Sequence, residues 1–365
     1  MLRLILDVMG GDRGPLAVLE GLSKALPELL VFGEVKITLI GNETVLKPLL
    51  TKRRLRSVAE GISSGQISLL HSDQNIEMED SIKAVRTKPN ATINLGCQMA
   101  AKAYTEKTPA AFISAGHSGA MMGSALMHMG RLEGVERPAI AANLPTLSED
   151  VGIILDVGAN VDCKPENLRD FAVMGAIFAQ VGRKNKNLPK IGLLSNGEER
   201  SKGNELTRAA LPLIDQLSCF KPGPAQIATF VGYAEGKDFF KGQVDVVITD
   251  GFVGNLVLKS VEGVGSAVVS ILKLEAKSGV LAPLGFLLAA GVFKRLIKKL
   301  DWAEYGAAPL LGVAGYAFIC HGRSNSKAIK NALIRAAAAL KSQVVENLEE
   351  ALFETGLAAR RPTKT

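Results

Sequence analysis

Three stretches of the chain hold side chains whose types and spacing suit chemistry on an anion. Residues 156–165 read Asp-Val-Gly-Ala-Asn-Val-Asp-Cys-Lys-Pro, with Asp156, Gly158 and Asn160 close together. Residues 202–204 read Lys-Gly-Asn, a cation beside a glycine and an amide. Residues 250–255 read Asp-Gly-Phe-Val-Gly-Asn, ending in Gly254 and Asn255. Two more corners have the same make-up: Asp7 with Gly10, Gly11 and Asp12, and Ser114 with Gly116 and His117. Glycine lets backbone N–H groups approach an anion, and a following helix N-terminus adds the positive end of a dipole. A turn glycine alone needs no ligand. Five such loops at equivalent places point instead to one shared site.

Each candidate has a plainer alternative. Lys202 could meet a phosphate or be a solvated surface lysine. Asn160 and Asn255 could donate to an oxyanion or cap a helix. His117 could serve as a base or only bond the backbone, and no base role is assigned to it. His71, His128 and His321 have no partner pattern and read as structural. The loops fit neither Gly-x-Gly-x-x-Gly with a distant acid nor a Walker loop, which argues against ordinary NAD or ATP sites. There is no Ser-His-Asp order, no Gly-x-Ser-x-Gly elbow and no reactive-cysteine signature. Direct attack by a bound substrate therefore fits better than a covalent enzyme intermediate, with positioning and oxyanion stabilisation supplying the rate.

The elements that position these loops follow from apolar patterning. Strands are expected at 2–6, 35–40, 67–70, 110–113, 151–155, 191–194 and 244–248. Helices are expected after Pro15, at 43–50, at 82–104 with a break near Lys88-Pro89-Asn90, at 120–130, at 166–179, from Glu205 and from 256 to about 277. Strands alternating with helices imply an α/β fold with a mostly parallel sheet covered on both faces. Ligands bind at the carboxyl ends of such strands.

The 365 residues are 47% hydrophobic, enough for a large core in a single domain over 1–355 with a frayed tail at 356–365. The net charge of +7 favours acidic partners. Aromatic residues, at 5%, are not interleaved with basic ones, so nucleic acid is not the expected partner. The four cysteines lie far apart, without metal or disulfide spacing, and read as reduced cytosolic thiols; with the NAD and ATP patterns also missing, no metal or cofactor is expected. The start is too soon acidic for a signal peptide, and no uncharged apolar run reaches the ~20 residues of a span. A cytoplasmic protein is expected.

Residues 280–300 stand apart. Val280, Leu281, Leu284, Phe286, Leu287, Leu288 and Phe293 precede Lys294, Arg295, Lys298 and Lys299. They read as the outer part of a protruding helical hairpin at about 252–300. Its tip could touch a bilayer while its cations meet anionic headgroups, or it could pack on a twin.

Taken in order, the motifs resemble one family. They are Asp7-Val8-Met9-Gly10-Gly11-Asp12, Ser114-Ala115-Gly116, Arg137-Pro138-Ala139, Leu144-Pro145-Thr146, residues 156–165, Lys202-Gly203-Asn204, Asp250-Gly251-Phe252 with Gly254-Asn255, Tyr305-Gly306 and His321-Gly322. Together they are similar to the acyl-carrier-protein:phosphate acyltransferases, the PlsX family of bacterial phospholipid synthesis, over nearly the whole length. The resemblance implies a three-layer αβα Rossmann-like fold, similar to the isocitrate dehydrogenase and phosphotransacetylase group, and a homodimer. It implies acyl transfer from acyl carrier protein to inorganic phosphate at the membrane surface, where a membrane glycerol-3-phosphate acyltransferase takes the acyl phosphate. It maps the catalytic pair onto Lys202 and Asn255. Phosphate and substrate contacts then fall on Asp7, Gly10, Gly11, Asp12, Ser114, Gly116, His117, Asp156, Gly158, Asn160, Asn204, Asp250 and Gly254. The basic residues 294, 295, 298 and 299 would meet carrier protein or lipid. Two positions depart from the family pattern: Arg13 stands where His is usual, and His117-Ser118 where Asn-Thr is usual. The rival readings are a phosphotransacetylase-like enzyme using a coenzyme A thioester and a scaffold of the same fold that has lost turnover.

Overall fold

The computed structural model describes residues 1–180, 187–278 and 282–359. Val280, Leu281 and the tail from 360 lie outside them. Eleven strands form one sheet: β1 (Leu2–Asp7), β2 (Val35–Gly41), β3 (Ile67–His71), β4 (Ala110–Ser114), β5 (Ala139–Leu144), β6 (Gly152–Leu155), β7 (Lys190–Leu194), β8 (Thr229–Ala234), β9 (Val246–Ile248), β10 (Ala308–Leu311) and β11 (Tyr316–Ile319). The helices begin with α1 (Gly14–Leu29), α2 (Glu43–Leu50), α3 (Arg56–Ser63), α4 (Ala84–Thr87), α5 (Thr92–Thr105), α6 (Ser118–His128) and α7 (Pro165–Phe178). They continue with α8 (Glu205–Asp215), α9 (Gly236–Lys241), α10 (Gly251–Glu275), α11 (Ala282–Leu288), α12 (Ala290–Leu300), α13 (Ser326–Lys341) and α14 (Val344–Glu354).

Two apolar layers sandwich the sheet. In β1, Leu4 and Leu6 join a core with residues of α1, α3, α7, α8, α13 and α14, while Ile5 joins a second core with α4, α5, α6 and α9. Alternate side chains of one strand are thus buried on both faces, as a sheet covered by helices requires. The three-layer α/β arrangement expected above is the one observed. The break at Lys88-Pro89-Asn90 separates α4 from α5, because proline excludes the helical conformation before it.

The strand order is β3-β2-β1-β4-β11-β10-β5-β6-β9-β7-β8. The first five run parallel to one another, and so do the last four. Between them β10 is antiparallel to β11 and to β5, and β5 is antiparallel to β6. The two parallel halves therefore point in opposite directions. This corrects the sequence expectation that all five glycine loops share one edge. The loops after β1 and β4 lie at one edge of the sheet, and those after β6, β7 and β9 lie at the other. Strands β5, β8, β10 and β11 were not anticipated. Ala-Ile-Ala-Ala-Asn-Leu in β5 lacks the β-branched run that marks a strand, and Ala-Pro-Leu-Leu in β10 is short and carries proline.

Candidate active site

At the second edge, β6 runs into Asp156 through a cis peptide. Asp156 is wholly buried. Its Oδ1 accepts the backbone N–H groups of Ile140 at 2.9 Å, Ala159 at 3.1 Å and Gly158 at 3.2 Å. Its Oδ2 accepts from the Asn160 backbone at 2.7 Å and the Asn160 side chain at 3.0 Å. Asn160 Nδ2 also donates to the Pro138 carbonyl at 2.8 Å, so both amide hydrogens are engaged and none is left for an oxyanion. Asp156, Asn160 and the Gly158 N–H build the corner.

Helix α10 docks on this corner. Asp250 caps it, with Oδ1 accepting from Val253 N at 2.9 Å, and Gly251 N donates to the Asn160 carbonyl at 2.7 Å. A Cβ on Gly254 would collide with the Asp156 carbonyl, so only glycine permits this approach. Asn255 follows directly, exposed and over Gly158, with 3.8 Å between its Cβ and a Cβ built on that glycine. The Asn255 amide makes no hydrogen bond among the described residues.

At the opposite edge Asp7 is the keystone, 1% exposed. It accepts from Ser114 Oγ at 2.7 Å and from the N–H groups of Met9 at 3.0 Å and Gly10 at 3.2 Å. Gly116 N in turn donates to Ser114 Oγ at 3.0 Å. Asp7, Ser114 and these glycine donors thus satisfy one another inside the corner. Asp12 is exposed, and its N–H donates to the Gly322 carbonyl at 2.8 Å. His117 is the N-cap of α6, its Nδ1 accepting from Ala120 N at 3.0 Å. That is the backbone-bonding role.

A cleft of about 370 Å³ crosses the sheet face between the two corners. Its apolar wall includes Ile140, Ala142 and Leu144 of β5, Leu258 and Val261 of α10, and Leu300. Gly158 and Asn255 lie at one end, Ser118, His321 and Gly322 at the other. Lys259 Nζ, one turn after Asn255, stands 3.1 Å from His321 Nε2 and 2.9 Å from Glu262 Oε2. Burial, then the Lys259 charge, pull the His321 pKa below its usual value. Burial raises the carboxyls of Asp7 and Asp156 above the usual range, against their hydrogen bonds. Burial also pushes the thiols of Cys163 and Cys320 up to about 12, far from a reactive thiolate. Among the described residues no three His, Cys, Asp or Glu side chains gather as a metal site would need.

Lys202 is not among the residues lining the cleft. It sits after β7, half exposed, 4.0 Å from Glu199. Asn204 caps α8, accepting from Thr207 N at 2.9 Å. Leu155, Ile248 and Leu193 lie in one row across β6, β9 and β7, so the Lys202 loop leaves the sheet about 10 Å from the Asp156 corner. The expected pair, Lys202 and Asn255, thus follows two neighbouring strands, β7 and β9. Lys294, Arg295, Lys298 and Lys299 are exposed on α12.

The model of the family described as "Fatty acid synthesis protein" matches residues 2–347. The chain is 42% identical over 354 residues to the phosphate acyltransferase of Campylobacter concisus, covering 96% of this chain and 98% of that one. It is 41% identical over 363 residues to that of Helicobacter hepaticus, covering 99% and 100%. The chain belongs to the phosphate acyltransferase family. In fold it is similar to the phosphotransacetylase of Streptococcus pyogenes, with a TM-score of 0.54, 15% identity and 94% of each chain covered. The EutD phosphotransacetylase of Staphylococcus aureus gives 0.52 and 16% over 93% and 94%.

In this acyltransferase Arg13 is exposed and donates through Nε to the Arg323 carbonyl at 3.1 Å. The sequence reading missed Lys259 and left His321 as structural. Position i+4 from Asn255 was the available signal for Lys259, since it shares a helix face. His321 was marked only through the His321-Gly322 motif, since its partner is 62 residues away.

Proposed function

We propose that the chain transfers a long acyl group from acyl carrier protein to inorganic phosphate, giving acyl phosphate for phospholipid synthesis. The observation that carries the proposal is the apolar cleft ending at the unengaged Asn255 amide. An acyl chain along Leu258, Val261 and Leu300 brings its thioester carbonyl toward that amide. A phosphate oxygen attacks the carbonyl carbon, Asn255 stabilises the oxyanion, and the C–S bond breaks to release the pantetheine thiolate, which takes a proton from water. Phosphate dianion is nucleophilic near neutral pH, so no strong base is needed. Lys202, on the same edge as the Asp156 corner, draws the anion in from the rim.

The exposed apolar surface supports a peripheral membrane enzyme. Phe252, Leu256, Val264, Ile271 and Leu274 of α10 are each more than half exposed, which suits contact with a second copy. By length and composition α10 also suffices to cross a membrane, although Lys259, Glu262 and its docked start assign it to the protein. Leu287 and Leu288 are 71% and 82% exposed at the hairpin end, near the cations of α12, as lipid contact requires. That surface would deliver product to a membrane acyltransferase from the cytoplasmic side.

Purified protein, phosphate and either an acyl carrier protein thioester or a coenzyme A thioester should yield acyl phosphate, trapped as hydroxamate, preferentially from the carrier protein. Preference for coenzyme A would overturn the donor, and no product from either would leave a scaffold. Lys202→Ala should cut turnover sharply at an unchanged melting temperature.

A further inference from the structure

A second opening of about 280 Å³ lies beside the cleft, lined by Met122 and Leu126 of α6, Arg131 and Arg137 ahead of β5, and Ala159 and Asn160. Two elements make it continuous with the cleft. Ser118 lines the cleft, and Met122 and Leu126 follow it at i+4 and i+8 on one face of α6, up to about 12 Å further along. Gly158 lines the cleft too, and Asn160 comes two residues later, at most about 7 Å away along the chain. The charge of this groove is one-sided. Arg137 is exposed and makes no hydrogen bond or ion pair among the described residues. Arg131 donates through Nη1 to the Glu136 carbonyl, which pins the side chain and leaves the rest of its fork open. The Glu136 carboxylate is turned to Lys164 Nζ at 3.1 Å and Asn167 Nδ2 at 3.0 Å, and pairs with neither arginine. Two guanidinium groups without a carboxylate thus flank an apolar strip.

A phosphodiester carries one negative charge on two unesterified oxygens, which match a guanidinium fork. In a carrier protein such a phosphodiester joins the pantetheine arm to the protein, and the arm's methyl groups suit a methionine and a leucine. We propose that Arg131 and Arg137 hold the phosphodiester of the acyl carrier protein's arm, with the pantetheine lying along Met122 toward Gly158 and Asn255. The acidic carrier then docks over this groove, and the cations of α12 are left to lipid. This rests on the acyl-transfer reading and adds where the donor is gripped. The arginines only bind. The thioester is broken in the cleft, at the far end of the arm.

Fluorescence anisotropy of labelled holo and apo carrier protein with the full-length enzyme, without phosphate or acyl chain, reads the arm apart from turnover. Wild type should bind the holo form more tightly than the apo form, which lacks the arm. Arg131→Met with Arg137→Met should weaken holo binding about tenfold or more, the scale of lost charge-assisted bonds, and erase the difference between the two forms. The same double variant should raise KM for the acyl carrier protein and leave KM for phosphate nearly unchanged. Its KM penalty should vanish for an acyl thioester of N-acetylcysteamine, which ends before the phosphodiester. Full holo binding by the double variant, with its fold checked by circular dichroism, overturns the inference. An equal penalty on the N-acetylcysteamine donor also overturns it, since the arginines would then act on the fold and not on the arm. Arginine-dependent binding of coenzyme A that is tighter than that of the holo carrier gives the groove to a different donor. Loss of liposome flotation in the double variant makes it a lipid site, and either result sinks the carrier. Neutralising Lys294, Arg295, Lys298 and Lys299 should release the protein from liposomes and spare holo binding; the reverse moves the docking surface to the hairpin and overturns the inference. Arginine-dependent holo binding with no acyl phosphate from any thioester keeps the surface and sinks the proposed reaction.

Discussion

Asp156 and Asn255 lie on adjoining corners and differ in what they bond: the carboxylate is fully engaged, the amide is not. Five N–H groups converge on the Asp156 carboxylate, from as far as Ile140. Asp156→Ala strands several of them in the interior, and each buried unsatisfied donor costs about 1–3 kcal/mol. We expect a loss of at least ~3 kcal/mol in denaturant-midpoint stability, with weaker or absent folding as the extreme. Asn255 is the converse case, exposed and unengaged. Asn255→Ala should lower kcat by about a hundredfold or more, as removal of an oxyanion donor does, while the melting temperature stays put. A folded variant with wild-type kcat would remove Asn255 from the reaction. Residue types and spacing pointed to both corners, because acids beside glycines at strand ends are rare without a reason. They could not show that the acids accept inward. A carboxylate that binds a ligand and one that ties a loop have the same neighbours in sequence, and only burial tells them apart.

Among the elements, the helices and the outer parallel strands followed from periodicity. The central strands did not, since Ala139, Ala141 and Ala142 of β5 give no contrast with helix-forming sequence. The reversal of the two halves passes through those strands, so its consequence for the loops was hidden too. The hairpin was foreseen from its apolar-then-basic order. Its exposed side chains lead to a direct expectation. Leu287→Asp with Leu288→Asp should release the protein from anionic liposomes in a flotation assay and spare turnover of a soluble short-chain donor. Retention of the double variant on liposomes would place the anchor elsewhere.

Across the whole molecule, buried carboxylates set an unusual response to acid. Burial raises the pKa of Asp7, Asp156, Asp170 and Glu349 in the folded chain. A raised folded pKa means that the native state binds protons more readily, so these groups favour folding below it and disfavour folding as pH climbs past it. The lowered carboxyls, Glu43, Asp80 and Glu136, are surface groups that hold their stabilisation until the pH drops below the ordinary carboxylate range. The lowered imidazoles of His128 and His321 act in the opposite sense as pH falls. In a His128→Gln/His321→Gln variant the thermal midpoint at mildly acidic pH should therefore equal or exceed that at pH ~8, and a steady fall on acidification from neutrality would contradict this assignment. One last property belongs to α10, which is clamped at Gly254 and reaches Glu275 about 31 Å further along. Lys259 lies only about 7.5 Å from that clamp, so swinging the far end by 1 Å moves it by roughly a quarter of that. The helix is a lever with Asn255 next to the fulcrum: its far end can swing with the hairpin while the Asn255 amide at the cleft hardly stirs.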